Sequence, residues 1–105
     1  MPFAHLKPER VLEIRKALAA AALGQSYKEE LRPLLMANVP DGFIQELQLF
    51  SNDYNQLSGD LRSMNGMEKL RSGAVPLKIW LKNAEEMFAD RTESEVFTKA
   101  LKEMD

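Results

Sequence analysis

The chain has 105 residues, 45% apolar and 29% charged, the balance of one globular domain large enough to bury a core without covalent staples. It holds no cysteine, which excludes disulfides, thiolate metal sites and cysteine catalysis, and its net charge of −2 argues against a general affinity for nucleic acid. No apolar run approaches the roughly 18 residues of a membrane span, and Met1-Pro-Phe-Ala-His-Leu-Lys7 lacks the basic-then-apolar pattern of a signal peptide, so the expectation is a cytoplasmic protein that does not bind membranes.

No stretch alternates with a period of two; apolar residues recur at helical spacing from end to end. A first helix is expected from Pro8, a residue suited to the first helical position, to Leu23, with Gly24 as its stop. Val11, Ile14, Leu18 and Ala22 form its inner face, widened by Leu12 and Ala19; Arg15 lies within that arc, its stem packed and its guanidinium reaching for water. Ser26 and Glu29 have the spacing of a capping box and open a second helix bearing Tyr27, Leu31, Leu34 and Leu35. Pro33 cannot donate a backbone hydrogen bond, which predicts a kink or two short helices meeting there.

Val39-Pro-Asp-Gly42 reads as a turn, with Asp41 capping a short third helix that carries Phe43, Ile44 and Leu47 and could extend to Phe50. Ser51 or Asn52 caps a fourth, in which Tyr54, Leu57, Leu61 and Met64 repeat at three and four and Asn65-Gly66 supplies the end. Gly59 inside it costs about 1 kcal/mol relative to Ala unless another backbone packs against it. A fifth helix starts at Pro76 and gathers Leu77, Trp80, Leu81, Ala84, Met87 and Phe88 on one face, with Ile79 pointing away. Thr92 and Glu95 suggest a second capping box, and the sixth helix presents Val96, Phe97, Ala100, Leu101 and Met104. The sum is an all-α fold, a single domain over residues 1–105 built as a compact five- to six-helix bundle. Leu18, Leu31, Leu34, Leu61, Leu77, Trp80, Leu81, Ala84, Phe97 and Leu101 are the expected core.

Chemistry is sparse. His5 is the sole histidine, so neither a histidine metal site nor a histidine-dependent triad can be assembled, and near a chain end it is expected in solvent. Adjacent acids such as Glu85-Glu86 point apart on a helix. The Gly-x-Ser-x-Gly elbow and the phosphate-binding glycine motifs are missing. No catalytic residue, metal or cofactor is assigned, and the chain reads as a non-enzyme.

Charge, by contrast, is blocked along the sequence. Residues 1–32 carry six basic and four acidic side chains, residues 33–61 are net −4, residues 62–82 net +4 and residues 83–105 net −4. Opposed faces of this kind favour self-association or pairing with a similar module. The expected basic patch is Arg62, Arg71, Lys78 and Lys82 with Ile79 as its apolar centre; the expected acidic patch is Asp41, Glu46, Asp53 and Asp60.

One run resembles a known family. Gly73-Ala-Val-Pro-Leu-Lys-Ile-Trp-Leu-Lys-Asn-Ala84, followed by a helix ending Val96-Phe-Thr-Lys-Ala-Leu101, is similar to the closing segment of the effector-associated domains of bacterial conflict and defence proteins. The likeness runs back through Leu31-Arg-Pro-Leu-Leu35 and Gln56-Leu-Ser-Gly-Asp-Leu61, covering residues 11–104. It implies a death-like helical fold without activity of its own. It also implies an adaptor role: joining an effector such as a peptidase, or a signalling ATPase, through contacts between like domains, with this chain alone or as the N-terminal module of a larger protein. Two other readings stand beside it. A small helix-turn-helix regulator would use Lys78 and Lys82 on a recognition helix, against the repulsion of Glu85 and Glu86; an inhibitor or antitoxin-like binder is the third.

Overall fold

The computed structural model describes residues 3–104; Met1 and Asp105, which entered the sequence reading, lie outside them. Six α-helices follow in order among the described residues, with no strand: α1 (Pro8–Ala22), α2 (Arg32–Leu35), α3 (Asp41–Glu46), α4 (Asp53–Asn65), α5 (Pro76–Met87) and α6 (Ser94–Met104). A single π-helical turn (Tyr27–Leu31) runs directly into α2. α5 and α6 pack on each other, α1 lies against α6 and α4, the π-turn rests on α4, and α2 on α5.

The core forms where the inner faces of α1, α4, α5 and α6 meet. Trp80 is fully enclosed, with its ring centroid 6.3 Å from that of Phe97 in an edge-on arrangement, and the Phe88 ring sits 6.4 Å from Phe97 as well. Ile14, Leu18, Leu31, Leu61, Leu77, Leu81, Ala84, Ala100 and Leu101 complete the enclosure, as the helical spacing requires. Four expected inward residues turn outward. Leu34 is 58% exposed and Tyr54 61% exposed, and Leu12 and Ala19 at the edge of the α1 face are exposed as well. The cause of the first is the wide π-turn, which rotates the residues after it relative to an α-helical wheel, so that Leu31 and Leu35 face in and Leu34 does not.

That turn begins at Ser26, whose hydroxyl accepts the Glu29 N–H at 3.4 Å and whose carbonyl takes both Glu30 N and Leu31 N, at 3.0 and 3.1 Å. Pro33 then falls at the second position of α2, where a missing donor costs nothing; two short helical pieces do meet at the proline. α1 closes one residue earlier than its glycine, with Leu23 itself in the left-handed region (φ 50°) and Gly24 following at φ 86°. Asn52 caps α4 through its side-chain oxygen on Asn55 N at 2.8 Å. Asp41 makes no cap, lying one residue inside α3, and the Thr92–Glu95 box is replaced by a bond between the Thr92 hydroxyl and Glu93 while α6 starts at Ser94.

The N-terminal segment is sewn to the end of α4. Asn65 donates to Leu6 O at 3.0 Å and accepts Leu6 N at 2.8 Å, and His5 Nε2 bonds Met67 O at 2.8 Å. His5 is therefore half-buried and engaged, contrary to the solvated side chain expected near a chain end.

Gly59 has a packing reason as well. A methyl group placed on it would run into the half-buried ring of Phe50, whose backbone N–H is held by Gln56. Gly59→Ala is expected to lower stability by about 1 kcal/mol, because overpacking outweighs the gain in helix propensity. In a Phe50→Ala background the same change should become stabilising, a reversal that urea midpoints of the four-member cycle measure directly.

Candidate functional site

Four side chains converge under the π-turn. The Asp60 carboxylate, 1% exposed, accepts hydrogen bonds from the Tyr27 hydroxyl at 2.7 Å, from Arg32 Nε and Nη2 at 2.7 and 3.3 Å, and from Gln56 Nε2 at 2.9 Å. Gln56, also enclosed, spends its remaining capacity on the 48–50 segment: its Oε1 takes Phe50 N at 2.8 Å and its Nε2 also reaches Gln48 O at 3.0 Å. Burial, followed by the Asp60 charge, pushes the Tyr27 hydroxyl far above its ordinary range, and the bond to Asp60 raises the Arg32 guanidinium. A carboxylate so fully donated to is a clamp on three pieces of chain; no lone pair is left for a substrate proton.

Asp60 thus leaves the expected acidic patch: it is an interior group, drawn in by the cation of Arg32 from the adjacent α2. The sequence carried a signal for this. Asp60 lies one turn after Gln56 and one turn before Met64 on the apolar stripe of Leu57, Leu61 and Met64, where a carboxylate survives only if satisfied. Of the other acids, Asp53 is exposed but committed, its carboxylate taking the Ser26 hydroxyl at 3.2 Å and Lys28 N at 3.1 Å. Asp41 is exposed beside Lys28 and Arg32 in a shallow cleft of about 410 Å³, and Glu46 is exposed at the end of α3.

The basic residues are distributed over several elements. Arg62 is exposed on α4 in a cleft shared with Pro8, Leu12 and Arg15; Arg71 is exposed in the turn before α5; Lys82 is exposed and Lys78 half-buried on α5. Ile79 does not stand clear of the fold. It is half-buried and packed against the core, on the face where Asn83, one turn on, donates to Leu35 O and Ala37 O at 2.8 Å and so fastens α5 to the end of α2. The Ile79 side chain is thus shared between core and surface, less exposed than a helical wheel of α5 alone suggests.

Sequence reasoning did not find a concavity on the α1 side of the fold. A groove of about 540 Å³ runs between α1 and α4, floored by Leu18, Leu31 and Leu57 and closed at one end by Ser26 and Tyr27. Arg15 reaches across it: its guanidinium carbon lies 4.9 Å from the centre of the Tyr54 ring and its Nη1 bonds Ser58 Oγ at 3.1 Å. The stem packs and the head finds a π-face and a hydroxyl in place of a carboxylate.

Among the described residues no group of three or more His, Cys, Asp or Glu is placed to hold a metal ion, and no helix is long and apolar enough to cross a membrane. What fold and surface define together is a small helical domain whose polar interior is spent on its own architecture. The family model for effector-associated domain 5 matches residues 5–105, and the chain belongs to that family, an accessory domain associated with effectors. The comparisons with curated proteins and with solved structures give no match.

Proposed function

We propose that this domain is a non-catalytic adaptor that couples an effector to a signalling partner in a bacterial conflict or defence system, through contacts with a like domain on a death-like helical scaffold. The observation that carries this reading is the match of the effector-associated family along residues 5–105. The interior supports it, because the one buried carboxylate among the described residues is saturated by Tyr27, Arg32 and Gln56. In this reading the exposed charges of Arg71 and Lys82, with Lys78 beside them, meet acids such as Asp41 and Glu46 on the partner domain. Rim charges of this kind govern encounter rate and selectivity more than they add affinity.

The test replaces Arg71 and Lys82 with Glu. Both are exposed, so the melting temperature should stay near that of the parent, within the ±0.5 kcal/mol or so usual for surface changes. Co-purification with a coexpressed protein carrying another effector-associated domain should fall. A folded double variant that holds such a partner at full strength removes this surface from the interface.

A further inference from the structure

We infer that the α1–α4 groove is a self-docking surface, on which a second copy of this chain seats its own Leu23 about a two-fold axis. This rests on the reading of the domain as an interaction module and goes beyond it by naming a surface and its occupant.

Three observations converge. Of the large apolar side chains that stand in solvent, Leu12 (39% exposed) and Tyr54 (61%) line the groove, and Leu23 (72%) sits between Ala22 and Gly24, both of which also line it. Exposed apolar side chains gathered around a concavity mark a contact surface, whereas scattered ones do not. The second observation is in the backbone. Leu23 adopts φ 50°, a left-handed conformation that costs a branched residue about 1 kcal/mol or more and that Gly takes freely. Helix termination needs only a glycine there, and Gly24 is one residue away. The chain instead holds a leucine in the strained position and points it at water, an expense that contact with a second molecule explains.

Charge names the occupant. The groove carries Arg15 and Lys16 on α1 and Asp53 on α4. Neither cation has a carboxylate partner among the described residues. A two-fold operation sets each feature of one copy against the complementary feature of the other. The α1 cations of one copy would then face the partner's Asp53, whose charge the neutral donors Ser26 Oγ and Lys28 N leave uncancelled, and each Leu23 would enter the partner's groove over Leu18 and Leu57. A partner of single-signed charge would satisfy only one side of this surface.

The experiment is sedimentation velocity over a concentration series on the purified chain, with Leu23→Gly and Ala19→Arg. Leu23→Gly relieves the backbone and removes the plug, so its melting temperature should hold or rise while self-association weakens about tenfold or more. Ala19 is exposed on the groove wall. An arginine there should be accepted by the helix and block the groove, giving a monomer. The parent's association should also weaken with added salt. A parent that stays monomeric at its highest soluble concentration overturns the inference, as does a dimer that survives Leu23→Gly unchanged. Should Ala19→Arg fail to fold, Leu23→Gly alone decides. Retained binding of a coexpressed effector-associated partner by a chain that never self-associates would reject this surface while leaving the adaptor reading standing.

Discussion

Trp80→Ala should cost about 3–5 kcal/mol, the range for truncating a large enclosed aromatic, out of a total that for a domain of this size is about 5–15 kcal/mol. Trp80 is fully enclosed and carries the edge-on contact with Phe97, so its loss opens a void between α5 and α6 that neither helix can close by a side-chain shift alone. Urea unfolding followed by the helical circular dichroism band measures the loss, since the fluorophore itself is removed. Trp80→Phe should cost distinctly less: the indole N–H is buried without an acceptor, and phenylalanine removes that donor along with part of the volume. Equal costs for the two substitutions would mean that the ring's volume is not what holds the pair together.

The Asp60 clamp gives the second large effect. Asp60→Ala should destabilise by about 3–5 kcal/mol, because the Tyr27 hydroxyl and the Gln56 amide lose their acceptor in the interior and Arg32 its counter-charge. The lower end is expected, since Arg32 lies at the edge of the network and can turn toward water. Tyr27→Phe deletes one donor and leaves the pair intact, for about 1.5–3 kcal/mol. An exposed acid in a charge patch would have cost under about 0.5 kcal/mol, so the measurement separates the two placements of Asp60 cleanly. The raised pKa of Tyr27 adds a pH signature. Its stabilising contribution is complete below the ordinary tyrosine range near pH 10 and is lost as pH climbs above it, since the unfolded chain gives up that proton first. The alkaline fall in melting temperature should be shallower in Tyr27→Phe.

These two residues also show how far the sequence could be read. Trp80 lies on a stripe of Leu77, Leu81, Ala84 and Phe88 at spacing that admits one interpretation, and the helix folds accordingly. The family likeness lies in the same segment, where periodicity, the initiating proline and the single tryptophan agree. Asp60 was placed by its formal charge, and charge along a chain does not say which side of a helix meets a cation from elsewhere in the fold. Leu34 and Tyr54 failed for a related reason: a helical wheel assumes uniform turns and a covering neighbour, and here one turn is wide while the groove leaves α4 uncovered at its start. Concavities are made by elements distant in sequence, so the α1–α4 groove had no local signature beyond Leu23 ahead of Gly24.

The π-turn has a consequence for descent as well as for shape. Its carbonyl-to-amide step is one residue longer than that of an α-helix, which is what a single inserted residue produces in a helix whose flanks are already pinned. Here the flanks are Ser26–Tyr27, fixed by Asp53 and Asp60, and Leu31–Arg32, fixed by the core and by Asp60 again. A homologous chain lacking one of residues 28–30 would close the same span with ordinary helical bonds and keep both anchors in register. Length variation between relatives should therefore concentrate at this turn, while a deletion of equal size within α4 or α5 would carry half a helix face out of the interior.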